Sequence, residues 1–169
     1  MPRPTPAPRP GPRAPWLRSG LAAALALGAT LAAAQTLTLT KTADLAFGKL
    51  VPGTLAGTVT VPHTPGPRTA TGGVTLFSQG SSHSAAAFTV SNGPSNGSCT
   101  INWPTLPLVL SFESTTLSVT TLTASVSSPF TLSGTGGSFT VGGTASVGAN
   151  QTAGTYANTL TVGVTCSAP

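Results

Sequence analysis

Apolar residues alternate with threonine or serine along much of the chain after residue 36, and this pattern constrains the fold most strongly. A period of two places one set of side chains on a buried face and the other on a solvent face, as in a half-buried β-strand. Threonine suits the solvent face because its branched Cβ favours extended backbone. The apolar pairs that flank a threonine are Leu37 and Leu39, Val59 and Val61, Val74 and Leu76, Phe88 and Val90, and Phe139 and Val141.

Glycine, proline and asparagine interrupt the alternation at the positions expected of turns. Pro52-Gly53, Asn96-Gly97 and Gly136-Gly137 are examples, and these residue types supply the positive or preset φ that turns need. After residue 35 there is no 3.6-residue apolar period with helix caps. Short strands with regular turn signals are typical of antiparallel sandwiches and barrels. For a domain of this size we predict an all-β, immunoglobulin-like antiparallel β-sandwich of about eight or nine strands.

The first 34 residues have the composition of a secretory signal peptide. Four of the seven basic residues, Arg3, Arg9, Arg13 and Arg18, precede the apolar stretch GLAAALALGATLAAA, which ends in small residues. The stretch is shorter than the roughly 20 residues of a membrane-spanning helix. We therefore predict cleavage between Ala34 and Gln35, with residues 35–169 forming one domain. The general secretion route would deliver this domain to the periplasm, the cell surface or the medium, with no membrane span after cleavage.

Charged side chains make up only 5% of the chain. After the leader, Lys41, Lys49 and Arg68 stand against Asp44 and Glu113, which leaves a net charge of 3 − 2 = +1. A nucleic-acid surface needs clustered cations that neutralise phosphates. We therefore expect no nucleic-acid partner, and low charge instead favours packing against like subunits or other surface proteins, because few charges need desolvation at an interface.

The groups that catalysis or metal binding would need are sparse in the mature chain. His63 and His83 fall in turn-like segments, and only Asp44 and Glu113 supply carboxylates. No serine lies in a nucleophile-elbow pattern, and the histidines and cysteines lack the close-pair spacing of zinc ligands. The sequence therefore predicts a non-enzymatic protein without a cofactor or metal.

Cys99 and Cys166 are the only cysteines. An even count in an exported protein favours a disulfide, which would stabilise the fold by about 4 kcal/mol in the chain-entropy model. Two buried free thiols, or a metal pair that lacks other ligands, are the alternatives.

The C-terminal segment is predicted to be a strand from Tyr156 to Cys166. One face carries Leu160, Val162 and Val164 and would join the core. Tyr156 would bury its ring and donate its hydroxyl to a backbone carbonyl, as corner tyrosines do in Greek-key sandwiches. This segment and residues 36–40, with Leu37 and Leu39, are the candidates for strand pairing.

Several segments form an ordered set along the mature chain: Leu45–Gly53, Gly57–Val61, Arg68–Val74, Ser84–Val90, Phe139–Thr144 and Ala149–Tyr156. In this order they resemble the bacterial exported family called domain of unknown function 4402. The resemblance implies a secreted or surface-exposed β-sandwich of unassigned biochemistry. It also implies a final strand similar to those of pilin-like and spore-coat-U-like domains.

Three functions are open at this point. The leading hypothesis is a non-enzymatic structural protein, secreted or displayed on the cell surface, that acts through sandwich packing or edge-strand pairing. The alternative is a pilin-like subunit assembled by donor-strand exchange, with Leu37 and Leu39 as anchors in a neighbour. The second alternative is a module that binds surface glycan, with Trp103 as the stacking platform.

Overall fold

Ten strands in antiparallel sheets make up the described part of the chain, which a computed structural model gives for residues 36–77, 82–152, 156 and 158–169. In chain order the strands are β1 Thr38–Ala43, β2 Leu50–Val61, β3 Thr69–Leu76, β4 Ala86–Ser91, β5 Ser98–Asn102, β6 Leu108–Phe112, β7 Thr115–Ala124, β8 Phe130–Thr131, β9 Gly137–Val147 and β10 Gly163–Ser167. No helix occurs among these residues, so the all-β antiparallel prediction is confirmed. The described residues form ten strands, whereas the sequence predicted eight or nine. A strand of two residues such as β8 is too short to show a period-two pattern.

The predicted leader, residues 1–34, and the predicted cleavage between Ala34 and Gln35 lie outside the described residues. Both stay predictions. Within the described ranges, no helix has the length and apolar character needed to cross a membrane.

The larger sheet has seven strands, and β9 is its central element. The path across this sheet is β1-β4-β9-β2-β3, and β7 joins β9 while β6 joins β7. β9 pairs with β4 through residues 137–141, with β2 through residues 143–147 and with β7 along residues 141–146. One long strand therefore holds three others in register.

The smaller sheet has three strands in the order β10-β5-β8, and the disulfide lies within it. Cys99 on β5 stands directly opposite Cys166 on β10 and is bonded to it, with a Cα–Cα distance of 4.1 Å. The Cys99 side chain is fully buried. The predicted disulfide is confirmed.

Most residues predicted to face inward belong to two hydrophobic cores, which also contain residues that the sequence pattern does not single out. The first core lies between the two sheets and includes residues of β4, β5 and β9: Ala86, Phe88, Val90, Cys99, Ile101, Phe139 and Val141, with Leu132, Leu160 and Val162. The second core lies on the inner face of β2, β3, β7 and β9: Val59, Val74, Leu117, Val119, Ala145 and Val147. The period-two alternation thus identified the buried faces of β2, β4 and β9 correctly.

Threonine hydroxyls on the opposite face of the large sheet bond across the strands. Thr58 on β2 and Thr71 on β3 are 2.8 Å apart through their Oγ1 atoms, and Thr60 and Thr144 are 2.9 Å apart in the same way. These cross-strand pairs explain why threonine dominates the solvent-facing positions.

The predicted C-terminal strand is wrong in its extent, because β10 begins at Gly163 and not at Tyr156. Gly163 pairs with Asn102, the last residue of β5, and the chain beyond Asn102 continues into Trp103-Pro104. A proline lacks the N–H that a continuing ladder would use. Leu160 and Val162 therefore have no partner strand, although each is only 8% exposed in the first core.

Replacing both cysteines with alanine should lower the free energy of unfolding by about 4 kcal/mol, because the bond closes a long loop in the unfolded chain. Its sequence separation is 67 residues. Urea unfolding of the oxidised protein and of the Cys99→Ala/Cys166→Ala double variant measures the difference. Equal midpoints and slopes for the two proteins would contradict a stabilising role.

Candidate functional site

Arg68 fastens three backbone segments together. Its guanidinium donates hydrogen bonds to the carbonyl oxygens of Phe47, Lys49 (2.8 Å) and Phe77 (2.7 Å). The residue is only 8% exposed. A guanidinium has five N–H donors in a fixed fork, so one buried side chain can bond several carbonyls at once. These bonds compensate for the desolvation of the buried charge.

The contact with Phe77 requires a strongly bent β3. Arg68 precedes this strand and Phe77 follows it, and a straight strand would place their Cα atoms about 30 Å apart. The bend coincides with Gly72 and Gly73. Gly72 has a φ of +65°, and a Cβ at Gly73 would lie 2.1 Å from the carbonyl oxygen of Leu55. Only glycine fits both positions, because other residues disfavour positive φ and would clash with β2.

A cavity of about 960 Å³ lies against the second core, and we call it the interlayer cavity. Buried residues of β2, β7 and β9 form part of its lining, namely Val59, Val119 and Ala145. Leu110 of β6 adds a half-buried side chain. Further lining comes from residues 44–52, the segment that Arg68 fastens, and from the C-terminal segment near Leu160. The lining is therefore built by tertiary folding from distant parts of the chain.

Most of the charge of the mature chain gathers at this cavity. Lys41, Asp44 and Lys49 all line it, and Lys41 forms an ion pair with Asp44. Arg68 binds the backbone of the segment that carries Lys49. Of the five charged residues after residue 34, three therefore line the cavity, and Glu113 lies in the turn between β6 and β7.

Tyr156 lies at the same cavity and ties the C-terminal segment to the large sheet. Its hydroxyl donates to the carbonyl oxygen of Thr152 at 2.8 Å, accepts from the Gln151 amide at 2.6 Å and lies 2.8 Å from the Thr115 hydroxyl. Its ring packs against Phe112 with centroids 5.8 Å apart. The predicted bond to a backbone carbonyl is confirmed, although Tyr156 does not begin a strand.

The two segments proposed for strand pairing meet within the molecule. Leu37 and Leu39 pack against the first core, and β1 pairs with β4 of the same chain. A cleft of about 190 Å³ is lined by Leu39 together with Leu160 and Val162. Val164 lies on β10 and also packs against the first core.

The remaining candidates are dispersed. Trp103 follows β5 and is 39% exposed, so its predicted role in glycan stacking stays a prediction. His63 lies 3.3 Å from the Thr123 hydroxyl through Nδ1, and His83 lies 3.1 Å from the Gly66 carbonyl through Nε2. Across the described ranges, no three His, Cys, Asp or Glu side chains come together in a group that could hold a metal.

Sequence reasoning missed both Arg68 and the cavity. Arg68 was counted as one of three scattered cations, yet it is the only arginine after the leader and directly precedes a strand. A lone arginine in a chain so poor in charge is a signal that could have suggested a buried structural role. The cavity left no such signal, since its lining comes from segments far apart in sequence.

Comparison with protein families identifies the domain. A family model described as "Domain of unknown function (DUF4402)" matches residues 37–165. The chain belongs to this family. The match spans Arg68, the residues that line the interlayer cavity and Cys99, and it ends at Thr165, one residue before Cys166 in β10. Comparisons with curated proteins and with solved structures give no match.

Replacing Arg68 with methionine should destabilise this DUF4402 domain by about 3 kcal/mol or more, because buried carbonyl groups lose their donors. Arg68→Lys should lose less, since a single ammonium cannot reach as widely as the guanidinium fork. Urea unfolding measures both variants. The matched control is Lys41→Met, which removes an exposed cation and should cost less than about 1 kcal/mol. An unfolding midpoint for Arg68→Met equal to that of the control would contradict the fastening role.

Tyr156→Phe should lower the free energy of unfolding of the DUF4402 domain by about 1.5 kcal/mol, because it removes the hydroxyl and keeps the ring. Thr152→Ala serves as the control: it retains the accepting backbone carbonyl and should change stability by less than about 0.5 kcal/mol. Thermal melts of both variants give the comparison. If Tyr156→Phe and Thr152→Ala had the same melting temperature, the hydroxyl of Tyr156 would have no stabilising role.

Proposed function

We propose that this domain is an exported, non-enzymatic structural protein that associates with like subunits by strand addition at the free edge of β10. The observation that carries the proposal is the character of this edge. Gly163–Ser167 contains no charged residue and no proline, and it pairs with β5 over five residues without a bulge. Exposed edges of this kind present unpaired N–H and C=O groups that a further strand can bond.

Two of the other edges, β1 and β3, are protected by their own sequence, and a third, β6, is covered in part by Asn158, whose amide donates to the carbonyl oxygen of Val109 at 2.6 Å. β1 carries Lys41, and its register shifts between Lys41 and Ala43. β3 is kinked at Gly72 and Gly73, where β2 approaches closely. Charges, bulges and kinks are the devices by which sheet edges avoid pairing with other chains. β10 lacks all of them, so it is the favoured edge.

The disulfide indicates which groups of β10 face outward. A Cα separation of 4.1 Å between Cys99 and Cys166 is typical of a non-hydrogen-bonded antiparallel pair, which has a spacing of about 4.5 Å. The backbone N–H and C=O of Cys166, and of Val164 two residues earlier, therefore point away from β5. These are the groups that an added strand would bond.

Export is supported by the predicted leader and by the disulfide, since disulfides persist mainly in oxidising compartments. Assembly by donor-strand exchange with residues 36–44 receives less support. In that mechanism the segment around Leu37 and Leu39 would fill a neighbour, whereas here β1 pairs with β4 of the same chain. Edge addition at β10 needs no such exchange.

Size-exclusion chromatography of the exported protein over a range of concentrations tests the proposal. Wild-type protein should self-associate as its concentration rises. Val164→Pro removes one outward N–H and should shift the protein to monomer, because the added strand loses a ladder bond. Val164→Ala keeps that N–H and should associate as the wild type does. A thermal melt of each variant shows that it is folded.

A wild-type protein that stays monomeric at every concentration would count against strand addition. So would a Val164→Pro variant that is folded and associates normally.

A further inference from the structure

We infer that the interlayer cavity binds a single-chain anionic amphiphile, such as a long-chain fatty acid. This inference is independent of strand addition at β10. It rests on the size of the cavity, on its apolar lining and on the placement of the charged residues.

The size and lining suit an alkyl chain. Small-molecule sites commonly have volumes of about 300–1,000 Å³ and largely apolar linings, and this cavity has a volume of about 960 Å³. Aliphatic side chains reach it from three strands of the large sheet: Val59 from β2, Leu110 from β6 and Val119 from β7. An alkyl chain placed against them would lose contact with water, which is favourable in proportion to the apolar area removed.

The charges at the cavity suit a negative head group. Lys41 and Lys49 line the cavity against one carboxylate, Asp44, so its lining carries a net charge of +1. Arg68 bonds the backbone of the segment that carries Lys49 but does not itself line the cavity. Three of the five charged residues after residue 34 therefore line one largely apolar cavity. Charge complementarity therefore favours an anionic head over a neutral or cationic one.

The tyrosine hydroxyl is occupied by Thr152, Gln151 and Thr115. It is therefore held as a fixed part of the lining beside the apolar residues. A head group would lie near the ammonium groups of Lys41 and Lys49, which are both on exposed residues, and it would compete with Asp44 for Lys41.

Isothermal titration calorimetry of the exported protein with sodium dodecanoate, below its micelle concentration, tests the inference. Dodecanoate should bind saturably with one molecule per chain. Shortening the alkyl chain should weaken binding about four-fold for each methylene removed. Dodecyltrimethylammonium has the same chain and the opposite charge, and it should bind at least about ten-fold more weakly.

Two variants on one strand give a matched test of the place of binding. Leu110 lines the cavity, whereas its neighbour Val109 is 41% exposed and does not. Leu110→Trp should fill the cavity and abolish dodecanoate binding, and Val109→Trp should leave it unchanged. Melting curves check that both variants are folded.

Charge variants keep the test decisive even if Leu110→Trp fails to fold. Asp44→Asn removes the single lining carboxylate and should tighten dodecanoate binding about two-fold, which is the size of a weak surface ion-pair effect. Lys49→Gln should weaken binding by a similar factor. Glu113→Gln, the control away from the cavity, should leave it unchanged.

Three results would overturn the inference. The first is an absence of saturable dodecanoate binding by the wild type. The second is equal affinity for the anionic and the cationic amphiphile. The third is unchanged dodecanoate binding by a folded Leu110→Trp variant, which would place the binding outside this cavity.

Discussion

The buried guanidinium of Arg68 is the interaction on which the shape of the second core depends. It holds the carbonyl groups of Phe47, Lys49 and Phe77 together, and it can do so only because β3 bends at Gly72 and Gly73. The segment before β2 is thereby fixed beside the large sheet. A bridge between Ala46 and Ser84 also holds this segment, whereas Arg68 links both Phe47 and Lys49 to Phe77 at the end of β3.

The few charged residues lie in two different environments. Arg68 is buried and works through backbone carbonyls, whereas Lys41, Asp44 and Lys49 lie at the rim of an apolar cavity. Among the described residues, the outer face of the large sheet carries no charged pair of this kind but cross-strand threonine pairs. A face of this kind needs little desolvation when it packs against another protein.

The disulfide has a local as well as a global effect. It joins directly opposite residues of β5 and β10, so it holds the short C-terminal strand at the margin of the small sheet. A strand of five residues with one partner would otherwise fray easily. Holding β10 in place also keeps the outward groups of Val164 in a fixed direction, as an edge used for assembly requires.

The sequence by itself determined the all-β class, the buried faces of β2, β4 and β9, the disulfide partners and the bond from Tyr156 to a carbonyl. These follow from local periodicity, from residue chemistry and from there being only two cysteines. Tertiary structure alone decided that β10 begins at Gly163. A strand extends only as far as the strand it pairs with, and β5 ends at Asn102, before Trp103-Pro104. Tertiary structure also decided the role of Arg68 and the existence of the interlayer cavity. Both join residues from distant segments, and a local pattern carries no information about which distant segments meet.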